Sequence, residues 1–88
     1  MRSTFLKCKI EPGQFNNEYA VSGCQANGKE FSLFAPDCFV EFEGTPSLDT
    51  PVEGWLQVRV VERKDGTVLV RLPMEAFEVG QYVTVQSE

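Results

Sequence analysis

Protein chemistry needs side chains that move protons, attack electrophiles or hold charge, and this chain is short of the first two kinds. It contains no histidine, the group that most often serves as general acid or base near neutral pH. Glu41 and Glu43 stand two apart, so on a strand both carboxylates share a face, as paired-carboxylate hydrolysis would require. Such a pair is ordinarily a solvated face, and strand pattern alone carries no activity. Ser3, Ser22, Ser32, Ser47 and Ser87 have no base beside them, and no Gly-x-Ser-x-Gly occurs. The glycines are isolated rather than arrayed to cradle a phosphate. Cys8, Cys24 and Cys38 are an odd, widely spaced set. They read as reduced, small, mostly buried side chains, since three thiols without histidine do not complete a tetrahedral metal site. No enzyme, cofactor or metal is expected.

What the chain does offer is a place to hold charge. In the stretch 54–73, GWLQVRVVERKDGTVLVRLP, two alternating apolar runs flank Lys64-Asp65-Gly66. A two-residue Asp65-Gly66 loop would set Val61 against Val70 and Val60 against Arg71, mixing apolar and charged residues on both faces. A three-residue loop, Lys64-Asp65-Gly66 with Gly66 at positive φ, sets Val60 against Val70 and Val58 against Leu72. Leu56, Val58, Val60, Val68, Val70 and Leu72 then form a core face. Trp55, Gln57, Arg59, Val61, Leu69 and Arg71 form the outer one, with Arg59 directly opposite Arg71. A slip of one residue reverses every assignment, so burial selects the three-residue loop.

Like charges across a sheet destabilise it by a few tenths to about 1 kcal/mol. Something must offset the arginine pair: an internal carboxylate from segment 37–53, or from Glu53 or Glu75, or an anion from outside. The first is the ordinary outcome. The second makes Trp55, Gln57, Arg59, Val61, Leu69 and Arg71 a docking face, since Trp and Arg dominate protein interfaces. Trp55 taken alone equally suits a plug at one barrel end, its indole N–H on a carbonyl.

The elements that must position these residues are strands. Residues 4–10 alternate, with Leu6, Cys8 and Ile10 on one side and Lys7 and Lys9 on the other, and the lysines suit an edge strand. Residues 18–36 form a second hairpin around Ala26-Asn27-Gly28. A three-residue loop there sets Tyr19, Val21 and Gly23 against Ala35, Leu33 and Phe31, and is preferred to the two-residue alternative because it gathers the apolar residues. Residues 37–44 read as a short strand, 44–53 as a surface loop, 73–78 as one helical turn opened by Pro73, and 81–86 as a final strand. The result is an all-β, small single-domain antiparallel β-barrel of six or seven short strands over residues 1–88, SH3-like, OB-like or Greek-key, with at most one helical turn near 73–78. The ending FEVGQYVTV is similar to the F-x-x-G-Q-Y-V-x-V segment of flavin-binding barrels in ferredoxin reductase-like proteins. In that family an arginine-tyrosine-serine cluster follows and holds the flavin. No such cluster stands here, so flavin binding is not expected.

Charge sorts the partners. The net charge is −5, which opposes general affinity for a phosphate backbone. Residues 37–53 hold five carboxylates and no base, whereas 54–73 hold four basic against two acidic residues, a net +2. No apolar run has the length of a membrane span and no signal-peptide centre is evident, so a soluble cytoplasmic protein is expected. The expected function is a non-catalytic interaction or accessory module that binds a protein partner, or a second copy, through the outer hairpin face. The alternatives are a barrel for single-stranded nucleic acid, with Trp55 and Tyr82 stacking on bases and Arg59, Arg63, Lys64 and Arg71 on phosphates, and a small-molecule-binding barrel.

Overall fold

The computed structural model describes residues 2–47 and 49–87, with side chains from Thr4 onward; Met1, Leu48 in the expected loop, and Glu88 lie outside the described residues. Among those described, the elements are β1 (Arg2–Pro12), β2 (Glu18–Cys24), β3 (Glu30–Pro36), a 3-10 turn (Asp37–Phe39), β4 (Val40–Phe42), β5 (Val52–Lys64), β6 (Thr67–Ala76) and β7 (Gly80–Gln86). All pairings are antiparallel. The order along the sheet is β3-β2-β1-β5-β6-β7, with β4 attached to β5. Two three-stranded meanders are thus joined by the long β1–β5 pairing, and the sheet curls into a half-barrel. Its ends meet through Phe77 N–H donating to the Ser32 carbonyl at 2.9 Å and Ala26 N–H donating to the Thr84 carbonyl at 2.8 Å. The expected all-β barrel is present.

Strand alternation drives this closure. Ile10, Val21, Phe31, Leu33, Leu56, Val58, Val70 and Leu72 are the largest fully buried side chains, and each lies on the inward parity of its strand. The second hairpin has the expected register, with Tyr19, Val21 and Gly23 opposite Ala35, Leu33 and Phe31, closed by Gln25 N–H donating to the Lys29 carbonyl.

The central hairpin keeps its expected faces but not its expected loop. Val60 pairs with Val70 and Arg59 with Arg71, yet nearer the turn Lys64 pairs with Thr67, so the loop is the two residues Asp65-Gly66. Gly66 has φ 76°, which glycine adopts without steric cost. The register shifts between Val60 and Glu62, so the extra residue sits in the strand, as a β-bulge at Val61. Either arrangement keeps the same residues inward beyond the bulge, because one surplus residue corrects the parity wherever it is placed.

Four further expectations are corrected. β1 is an interior strand between β2 and β5; its lysines face solvent rather than guard an edge, and Lys7 Nζ lies 3.5 Å from Glu53 Oε2. Asp37–Phe39 is a 3-10 turn, so the expected strand shortens to Val40–Phe42. The loop after it ends sooner, because β5 begins at Val52. Residues 73–76 continue β6 instead of forming a helical turn. Extension buries both Leu72 and Ala76, and Pro73 is tolerated where the β6–β7 register breaks, between Arg71 and Ala76, so no ladder donor is missed.

Burial separates the thiols. Cys24 and Cys38 are exposed while Cys8 is buried, and burial pushes the Cys8 thiol from 9.0 up to about 12. A thiol reagent at neutral pH should label Cys24 and Cys38 in the native protein and reach Cys8 only on unfolding, as read by peptide mass spectrometry. Rapid native labelling of Cys8 would contradict its placement. The unfolded-state thiol ionises first, so the stability held by neutral Cys8 is intact below pH 9.0 and declines as pH rises toward about 12.

Candidate functional site

β5 changes partners along one edge. From Leu56 to Gly54 that edge pairs with β4, and from Arg59 to Lys64 it pairs with β6. Between Leu56 and Arg59 the two neighbours part and leave a cleft of about 340 Å³, lined by Phe39, Gln57, Val58, Arg59, Arg71, Leu72, Pro73 and Gln81. Pro73 supplies no N–H with which β6 could extend the ladder. The Gln81 Nε2 amide donates to the Leu72 carbonyl at 3.0 Å, satisfying a backbone acceptor that the fork leaves without a strand partner.

The outward residues divide around this cleft. Gln57, Arg59 and Arg71 line it, and Arg59 and Arg71 stand directly opposite one another, both exposed. Trp55 lies beyond it on the same face, 42% exposed, between Lys7 of β1 and Glu41 of β4. It does not plug a barrel end. Val61 sits exposed in the bulge, and half-buried Leu69 pairs with Glu62. The hairpin face is therefore one surface, with only three of its six residues gathered in the cleft.

Periodicity alone does not find Phe39, Pro73 or Gln81, which reach the cleft through the exchange of β4 for β6. It also does not reveal that exposed Phe5 extends the face, opposite Gln57; Tyr82, named with Trp55 as a stacking residue, stands opposite Arg71.

The electrostatics are uneven. Among the described residues the ion pairs are Lys7–Glu53 at 3.5 Å and Lys64–Glu62 at 3.6 Å, and neither involves Arg59 or Arg71. The internal carboxylate expected to offset the arginine pair is absent there; Glu53 is occupied by Lys7. Two guanidiniums side by side present planar forks of N–H donors that match a carboxylate or phosphate edge. Glu41 is exposed on β4 and Glu43 just beyond it. Among the described residues no group of three or more His, Cys, Asp or Glu is placed to hold a metal ion. No helix there is long and apolar enough to cross a membrane. In comparisons with known proteins, no family model, no curated protein and no solved structure matches this chain.

Proposed function

We propose that the chain is a non-catalytic interaction or accessory module, acting in the cytoplasm, that binds a protein partner through Trp55, Gln57, Arg59, Val61, Leu69 and Arg71. The observation that carries this reading is the arginine pair: two exposed guanidiniums opposite each other, outside the ion pairs of the described residues. The local repulsion of such a pair is relieved if a carboxylate comes to it. Trp55 and Val61 beside it supply apolar area that a partner's side chains would cover. The acidic balance speaks against a nucleic-acid strand as that ligand.

Trp55 is the one tryptophan of the chain and reports on its own face. Titration with an extended peptide of alternating glutamate and leucine should give a saturable change in Trp55 fluorescence. The change should vanish in the Arg59→Ala/Arg71→Ala double variant while circular dichroism stays the same. An unresponsive wild-type protein would overturn the reading, as would tighter, steeply salt-dependent binding of an oligothymidylate strand.

A further inference from the structure

The outer face carries its own complement. Its residues fall into three rows across the strands, fixed by the pairing: Lys7–Trp55–Glu41, then Phe5–Gln57, then Arg59–Arg71–Tyr82. Along β5 the first and third rows lie equally far from Gln57, two residues each way, or about 7 Å. One side of the middle row carries Trp55 between Lys7 and Glu41, and the other carries two arginines and Tyr82 with no acid among them. β4 and β6 occupy the same edge of β5, so Glu41 and Arg71 stand in one column and Trp55 and Arg59 in the next.

We infer that the partner for this face is a second copy of the chain, docked about a two-fold axis running along the Phe5–Gln57 row; this rests on the reading of the face as a protein-docking surface. Such an axis leaves each column over itself and exchanges the outer rows. Glu41 of each copy then meets Arg71 of the other, and Trp55 of each copy meets Arg59 of the other. One guanidinium gains a carboxylate and its neighbour gains an indole face, the two partners arginine favours. Phe5 meets Phe5 on the axis, covering a ring that is otherwise 46% exposed. The contact is isologous and closes at two copies, so it forms no filament. It is also small, since β1, β5 and the column shared by β4 and β6 span only about 10 Å at the usual strand spacing. It therefore sits at the weak end of interface sizes, and its charge pairs make it salt-sensitive.

Sedimentation equilibrium on the whole chain tests this with a charge exchange. Wild-type protein should associate reversibly to a dimer, less so at high salt. Arg71→Glu alone sets like charges against each other twice in a homodimer, as does Glu41→Arg alone, and each should weaken self-association by about tenfold or more. An equimolar mixture of the two variants restores both contacts, one as in the wild type and one with its signs exchanged, and should dimerise as the wild type does. Because the mixture regains association only if both variants are folded, misfolding cannot mimic that result. A wild-type chain that stays monomeric at every concentration overturns the inference, as do single variants that dimerise undiminished or a mixture that stays monomeric. If the acidic peptide nevertheless binds the monomer through Arg59 and Arg71, the second copy is excluded and the docking face stands. If neither associates, both are lost.

Discussion

Gly54→Ala should destabilise the protein by about 3 kcal/mol, at the upper end for overpacking in a well-packed interior. A methyl group on Gly54 would stand 2.5 Å from the Glu41 carbonyl oxygen, 2.8 Å from Ile10 Cγ1 and 2.9 Å from Phe42 Cβ. The Glu41 oxygen and Phe42 Cβ are fixed to the β4 backbone and cannot swing aside, and Ile10 is fully buried. Relief requires β4 to move off β5. That movement would take Phe39 away from the cleft, so the site should loosen with the fold. Urea denaturation should show a lower midpoint with an unchanged slope. A loss below about 0.5 kcal/mol would mean that β4 does not lie on β5 as described.

Phe31→Ala should be the costliest single truncation. Phe31 is 1% exposed and heads the fully buried side chains. It packs over Gly23, its cross-strand partner, where an added Cβ would come within 2.6 Å of its ring. Deleting the ring leaves a cavity that the bare Gly23 backbone cannot fill, at a cost of about 3–5 kcal/mol. A domain of this size has total stability of order 5–10 kcal/mol, so much of the variant should be unfolded by body temperature. Thermal melting followed by far-ultraviolet circular dichroism would show this, and a melting temperature within a few degrees of wild type would contradict the packing.

How far the residues themselves foretold this arrangement depends on what a period of two can carry. Alternation specifies which side chains face inward, and Leu56, Val58, Val68, Val70 and Leu72 are buried as expected. Between Val60 and Val70 it specifies only that one residue is surplus. A three-residue loop and a two-residue loop with a bulge at Val61 satisfy the same parity, so the bulge was invisible. Lys7 and Lys9 announce a solvent face, but an edge strand and an interior strand of a one-sided sheet both have one. Pro73 suits a helix start and a broken ladder equally, and the burial of Ala76 decides between them. The arginine pair was legible because cross-strand neighbours follow from parity. The cleft was not, because Phe39 and Gln81 arrive through the change of partner along β5, which is a property of strand order.

On the proposed reading, Arg59 and Arg71, which make no ion pair among the described residues, stand ready for a group from outside the chain. Arg71→Gln measures this in one step, by urea denaturation of dilute protein at low and at high salt. If the two guanidiniums repel without internal compensation, the variant should be more stable than wild type at low salt by a few tenths to about 1 kcal/mol. The gain should shrink as salt screens the repulsion. A variant less stable than wild type by about 1 kcal/mol or more would show that Arg71 is already held by a carboxylate of its own chain, and the account of the face would fail.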